Sequence, residues 1–409
     1  MPTERSREGI WVSELNARPE IRAAFDRAAP VRFYDTTLRD GEQTVGVVFA
    51  PHQKLEIARK IDELGVGRIE AGFPRVSADD AEALRLILAA KLKAEVWGFS
   101  RALRADLDEL IKLGARSTII EAPVSDIKLG AYGISREEVL RRVRDATGYA
   151  KTHGLTVAFF AVDGTRADLA YLQAVYGEAL EGGADELVVV DTIGGCGPEA
   201  VEFLVREVRR WAGDGVPIHF HGHNDFGLAT ASAIAAVRAG ATWIHGTING
   251  MGERAGNADL GEIALALRCL YDVPVELDLT KIREVSELVR KAAGYELEAW
   301  KPVVGRNLFV RESGAVASQF HTPEAIEPFA AERVGARRAI VLGKKSGLDS
   351  LALKSRELGL NIPEEQRAPV LAAVKRKGIE KRGLVTDSEF AEIIHRVASS
   401  SRSEKSSGS

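Results

Sequence analysis

From Val31 onward, short apolar runs alternate with longer stretches whose apolar residues recur near the i, i+3, i+4, i+7 spacing. The short runs predict strands at 31–35, 68–72, 95–99, 117–121, 156–162, 186–191, 217–221 and 242–246. The longer stretches, such as PHQKLEIARKIDELG, SADDAEALRLILAAK and SREEVLRRVRDATGYAKTHG, predict amphipathic helices. Several helices end at glycine (Gly65, Gly114, Gly154, Gly183, Gly240), which accepts the left-handed conformation that commonly closes a helix. Eight β-then-α units in about 240 residues is the count and size of a closed (β/α)8 barrel, so the fold class is α/β, a TIM barrel. The strands are nearly all apolar, as expected of a parallel sheet covered by helices. A doubly wound open sheet that binds a dinucleotide would favour GxGxxG after its first strand, where this chain reads TTLRDGEQT.

The rhythm breaks on both sides of the barrel. Residues 1–30 read as a charged N-terminal arm with Trp11 and Val12 as docking points, and 31–272 as the catalytic barrel. Residues 273–398 read as a smaller, α-rich lid or oligomerisation region. In it a helix is expected over 281–298, irregular Gly-rich chain over 300–350, and two helices within 366–397. The tail 399–409, SSSRSEKSSGS, has the composition of a solvated disordered end.

The 409 residues are 45% hydrophobic and 28% charged, with a formal net charge of -4. That balance is globular and gives no basic field, so nucleic acid is not an expected partner. Two cysteines, Cys196 and Cys269, make no disulfide framework, and no apolar run approaches the ~20 residues that span a bilayer. The N-terminus is too polar for a signal peptide, so the cytoplasm is the expected compartment and a membrane is not expected.

Active sites of TIM barrels lie at the C-terminal ends of the strands, which singles out three polar loops. The first, Asp35 to Gln43, packs Asp35, Asp40 and Glu42 with Arg39 around Gly41. The second follows strand 7, where alternation puts His221 and His223 on one face at the open end, with His219 on the same face but deeper. Two imidazoles two residues apart can reach one cation. Asp40 is placed to complete the set, because strands 1 and 7 flank strand 8 in a closed barrel. Such a mixed oxygen and nitrogen set suits Zn, Mn, Co or Mg with positions left open. The third loop, Asn249 to Asn257, reads as a phosphate-type glycine loop in which Asn249, Gly250, Gly252 and Glu253 bind a cofactor, as a device placing Asn257 near the metal, or as a tight turn into helix 8.

Together the stretches DTTLRDGEQ, IEAGFP, PVSD (123–126), DTIG (191–194), HGHNDFGLATA and NGMGERAGN resemble the metal-dependent family containing 2-isopropylmalate synthase, citramalate synthase, homocitrate synthase and hydroxymethylglutaryl-CoA lyase. They cover the barrel from about 31 to 260, and ESG (312–314) and VLGKKSG extend the match into the C-terminal region. GVVF after GEQ is most similar to the homocitrate synthase associated with nitrogen fixation. The resemblance implies a divalent metal on Asp40, His221 and His223 with Asn257 nearby, and acetyl-CoA as cosubstrate of a 2-oxo acid. It implies that Arg39 stabilises the oxyanion and that Thr192 holds the substrate carboxylate, with Gln43 and Arg101 among the substrate-binding residues. The implied reaction is a Claisen-type condensation giving a 2-hydroxy di- or tricarboxylate. The family's lid arrangement implies a homodimer.

Two positions depart from that pattern. The synthases carry a Glu-Asp pair after strand 5, whereas this chain reads AFFAVDGTR, with Val162 before Asp163. Their lid motif ESG-x-H here reads ESGAV, with Val316 at the histidine position. Valine transfers no proton. Glu121 on strand 4 and His321 near the lost lid histidine are the candidate replacements. A metal-dependent aldolase or lyase, and a non-catalytic oxo-acid-binding relative, are the alternatives. The lyase branch carries a cysteine in its strand-8 loop that is missing here.

Overall fold

The computed structural model describes residues 9–25 and 31–406, the side chains of 401–406 excepted. The expected N-terminal arm therefore lies partly outside the described residues. The chain forms two compact units, Ser13–Leu297 and a second made of Glu298–Ser409 with the first twelve residues.

The larger unit is a closed parallel barrel of eight strands in sequence order: β1 (Arg32–Asp35), β2 (Arg68–Glu70), β3 (Glu95–Arg101), β4 (Ser117–Pro123), β5 (Thr156–Val162), β6 (Glu186–Asp191), β7 (Ile218–Gly222) and β8 (Trp243–Gly246). Closure is made by β1 against β8, from Arg32 opposite Trp243 to Asp35 opposite Gly246. The expected strands are all present, with ends displaced by one or two residues. Helices connect them, started by side-chain caps such as Ser77, Ser125, Ser135 and Asp168. Gly65 and Gly114 close their helices at φ 94° and 83°, as the sequence predicts. A short helix, Asp126–Tyr132, precedes the long Arg136–Thr152 and has no counterpart in the periodicity reading.

The helix Ile282–Ala293 belongs to the barrel unit, so the boundary lies after Leu297 and not after residue 272. The physical reason is its buried stripe of Ile282, Val285 and Val289, together with an ion pair from Lys60 on helix Pro51–Leu64 to Glu284. In the smaller unit, Val310–Arg311 pairs in parallel with Ala339–Ile340. Helices Leu348–Glu357, Glu364–Lys381 and Asp387–Ser406 enclose Leu342, Leu351, Val370, Val374 and Phe390. The last helix runs past residue 399, where a disordered tail is expected, and the backbone N–H of Trp11 donates to Pro328 O. No helix among the described residues is long and apolar enough to cross a membrane.

Alternate residues of each strand fill the barrel. Tyr34, Trp97, Phe99, Ile119, Ala158, Phe160, Val188, Val190 and Trp243 form one buried cluster. Within it lies a charged assembly. Arg68 makes a two-pronged bond to Glu186 (2.5 and 2.9 Å) and lies between the rings of Trp97 and Trp243, 4.5 and 3.8 Å from their centroids. Glu186 also meets His219 Nε2 at 2.5 Å, and His219 Nδ1 meets His245 Nε2 at 3.0 Å. If Nε2 of His219 donates to the carboxylate, its Nδ1 must accept from His245. Burial tends to raise the Glu186 carboxyl, but His219 and Arg68 hold it at about 2.

Removing one partner of such a pair leaves the other buried and unpaired. Glu186→Ala is expected to destabilise the barrel by about 3–5 kcal/mol, read as a lower urea midpoint. A loss below about 1 kcal/mol would match an exposed pair and contradict this.

Candidate active site

The turn after β1 is built by Asp35. Its buried carboxylate accepts from Thr37 N and Thr37 Oγ1, both at 2.9 Å. Thr37 Oγ1 in turn accepts from Ile248 N at 2.8 Å, tying the β1 and β8 loops together across 211 positions of sequence. Burial drives the Asp35 carboxyl up to about 7 against those two bonds. This turn throws Arg39 and Asp40 inward, where both are buried.

Arg39 Nε donates to Glu70 Oε2 at 2.6 Å, and its guanidinium lies 4.0 Å over the Phe99 ring and 5.8 Å from that of Phe160. Nη2 of Arg39 is buried with no hydrogen-bond partner. Such a donor has lost water and gained nothing in return, so it is poised for an incoming oxygen. Burial pushes Glu70 up to about 7, although Arg39 works the other way.

His221 and His223 project from β7 on the same side, as alternation requires. Asp40 Oδ2 lies 3.0 Å from His221 Nε2 and 3.4 Å from His223 Nε2, and the two Nε2 atoms are 3.4 Å apart. An ion about 2.0–2.2 Å from each atom subtends edges of about 2.8–3.6 Å at octahedral to tetrahedral angles, so this triangle fits one cation. Neither Nδ1 atom has a hydrogen-bond partner, so no contact on that side of the rings fixes the imidazole tautomers. Burial lowers both imidazoles, His223 to about 4, which keeps them neutral. Burial opposes ionisation of Asp40, yet Arg39, His221 and His223 hold its carboxyl well below the usual carboxylate range. The three residues therefore present their cation-binding forms at neutral pH.

Asn257 pairs with His223 across an antiparallel bridge. Its Nδ2 donates to Met251 O at 2.9 Å, and its Oδ1 is buried and unpartnered. The glycines beside it serve this placement. A Cβ on Gly252 would lie 2.2 Å from Asn257 Nδ2, and one on Gly256 would lie 1.9 Å from Gly250 O. As a cofactor cradle this loop would need polar groups that are already engaged within the protein. The N–H groups of Gly250 and Gly252 are already given to Thr247 O and Thr44 Oγ1. The amide of Asn249 is spent on Ser286 and Tyr295, and Glu253 is exposed beside Arg254. Of the three alternatives open for this loop, the geometry favours the placing of Asn257.

The remaining candidates divide. Thr192 Oγ1 accepts from Asp163 N at 2.7 Å, and Asp163 is held by Ser125 and by a forked bond from Arg166. Asp163 adopts a left-handed φ of 65°, a conformation non-glycine residues rarely adopt. Arg254, absent from the sequence candidates, ties Thr192 O to the carboxylate of Asp225. Gln43 is exposed at the rim of a 300 Å³ cavity that also touches Arg39 and Phe73. Arg101 is paired with Asp106 at 2.7 and 2.9 Å and shares a 520 Å³ cavity with Glu121 and Val162. His321 and Val316 lie in the smaller unit, where His321 is exposed. Glu186 and His245 join the interior without a motif, and Glu70 lies in the IEAGFP stretch without being among the site candidates. Their only signal was a polar group on the inward face of an otherwise apolar strand.

An eight-stranded parallel barrel with a two-histidine, one-aspartate cluster at the strand ends defines a class of barrel enzyme. The chain belongs to the HMGL-like family, whose model matches residues 30–289, and a homocitrate synthase post-HMGL domain-like model matches 303–382. It is 43% identical to a homocitrate synthase of Methanopyrus kandleri over 93% of this chain and 97% of that one. It is 40% identical to a 2-isopropylmalate synthase of Methanocaldococcus jannaschii over 90% and 71%. Among solved structures, the HMG-CoA lyase of Bacillus subtilis matches in fold, with TM-score 0.60 at 20% identity, covering 67% of this chain and 96% of that one.

The glycine loop gives a specific expectation. Gly252→Ala must displace Asn257 and should weaken metal affinity about 10–100-fold, as loss of supporting contacts does, with the circular dichroism unchanged. Calorimetric titration with Zn²⁺ or Mn²⁺ measures it, and unaltered affinity would show that Asn257 has no part in the site.

Proposed function

We propose that this chain condenses an acyl-CoA, acetyl-CoA in the simplest case, with a 2-oxo acid to give a 2-hydroxy di- or tricarboxylate. The observation that carries the reading is the convergence of Asp40 Oδ2 with two neutral imidazoles beside the unpartnered Nη2 of Arg39. That arrangement suits a substrate offering a carboxylate and an adjacent carbonyl oxygen. The similarity to synthases named for homocitrate and isopropylmalate supports the same chemistry.

Asp40, His221 and His223, with Asn257 beside them, hold a divalent cation in this reading. The mixed set suits Zn, Mn, Co or Mg, and the cation supplies Lewis-acid polarisation of the carbonyl. Arg39 directs Nη2 at the oxygen on which charge develops, and the Glu70 bond and the Phe99 ring keep the guanidinium from swinging away. Thr192, held by the Asp163 amide and by Arg254, orients the oxo-acid carboxylate. The aromatic wall of Phe73, Phe99 and Phe160 excludes water and strengthens these interactions.

The test offers acetyl-CoA with 2-oxoglutarate, 2-oxoisovalerate, pyruvate, oxaloacetate and phosphonopyruvate and follows free thiol. CoA release that needs both metal and one of these acids is the expected result. Absence of release with all five would end the proposal. His221→Ala and His223→Ala should each abolish stoichiometric metal binding and CoA release together. Full activity in a metal-stripped double variant would defeat the metal assignment. Arg39→Ala should retain metal while kcat falls about 10²–10³-fold, the usual cost of one oxyanion donor. A rise in KM alone would make it a binding residue instead.

A further inference from the structure

The proposed condensation needs a group that accepts a proton from the acyl donor, and the carboxylates at the barrel mouth can be sorted by their commitments. Asp35 is spent on Thr37, and Glu70 on Arg39 and Tyr34. Asp106 is spent on Arg101, and Asp163 on Ser125 and Arg166. Asp191 accepts from Thr165 and the amides of Gly195 and Cys196, Asp225 is held by Arg254, and Glu42 by Lys54 and Phe49 N. Asp40 belongs to the histidine cluster. Glu121 alone among them has neither a hydrogen bond nor a close ion pair.

Its position is specific. On β4 it has the parity of Ile119, which faces the barrel interior, so Glu121 stands one step higher at the mouth. It pairs in register with Arg101 of β3 and Phe160 of β5. In the closed sequence of strands, β4 lies opposite β8, which separates the β1 and β7 positions carrying Asp40 and the histidines. Arg39 reaches across from β1 to the rings of Phe99 on β3 and Phe160 on β5. An oxo acid held beside Asp40, His221 and His223 under Arg39 therefore shows its free face to Glu121. The same carboxylate lines the 520 Å³ cavity between β3 and β5, whose wall at the next height on β5 is the inert Val162. Burial raises the Glu121 carboxyl although Arg39 and Arg101 oppose this, a direction that makes its carboxylate a stronger base.

Resting on the condensation reading, we propose that Glu121 is the catalytic base, taking the proton from the α-carbon of an acyl thioester that reaches the oxo acid through the β3–β5 cavity. The C–H bond breaks and its proton goes to a Glu121 oxygen. Its electron pair forms the new C–C bond to the keto carbon, and the carbonyl π pair moves to the oxygen beside Arg39. The alkoxide takes up one proton as Glu121 gives up its own, and water then cleaves the thioester, its hydroxyl going to the acyl carbon and its proton to sulfur, so that CoA leaves as the thiol.

The experiment uses the full chain loaded with Mn²⁺ and the oxo acid that supports CoA release. Glu121→Gln should cut CoA release about 10²–10⁴-fold, the usual contribution of general base catalysis. Calorimetric affinity for the oxo acid should stay within about threefold, a change of under 1 kcal/mol. Glu121→Ala should recover rate on addition of formate or acetate, which a merely structural role would not allow. A Gln variant as fast as the parent overturns the role of Glu121 alone. So does a loss of rate matched by an equal loss of oxo-acid affinity. A parent chain that releases no CoA defeats the condensation reading, and the base assignment with it.

Discussion

Hydrogen bonding of the first strand to the last is the constraint on which everything at the barrel mouth depends. Asp40 and the histidines of β7 come from opposite ends of the barrel sequence, and they meet because β1 and β7 both border β8. The bond from Ile248 N to Thr37 Oγ1 carries that closure one layer higher, into the loops. A register slip of one residue in β1 would turn its inward side chains out, because side chains alternate with period two. The ligand atoms are thus a property of the closed barrel and of no local segment.

The same closure explains how the interior tolerates charge. Two guanidiniums are buried in the barrel, each matched to a carboxylate and stacked on aromatic rings. Arg68 sits with Glu186 among tryptophans, and Arg39 with Glu70 over Phe99. Arginine suits these places because its planar, weakly hydrated head can bond at its edge and stack on its face together. The lower pair is fully satisfied and reads as framework. The upper pair keeps one donor unused, and that difference separates structure from chemistry.

Much of this was legible in the sequence. Apolar runs and helical periodicity located every strand, and the position of His221 and His223 at a strand end, with Asp40 at a neighbouring mouth, specified the cluster. Strand ends were less legible. β3 runs two residues further than its apolar core, because Ser100 and Arg101 continue the pairing with polar side chains that periodicity does not count, and β4 gains Ala122 and Pro123 opposite Ala161 and Val162. The Arg68–Glu186 pair, 118 positions apart, depends on a register that no local pattern records. The glycine loop was less legible. Sequence shows where glycines lie but not where their N–H groups go, and here those of Gly250 and Gly252 are given to Thr247 O and Thr44 Oγ1. The helix Ile282–Ala293 was detached from the barrel because its buried stripe gives no hint of which neighbour it covers.

The placement of Asp40 opposite His221 and His223 has a mechanical consequence. A cation gripping all three would act as a rivet through the seam where the chain's beginning meets its end, binding the closed cylinder and ignoring the open one. Mass action then adds about 2.7 kcal/mol of resistance to unfolding when free cation stands at a hundred times its dissociation constant. Chelation should soften the seam first, and the cylinder would come undone from its first and last staves while the opposite wall, β4 against β5, still held.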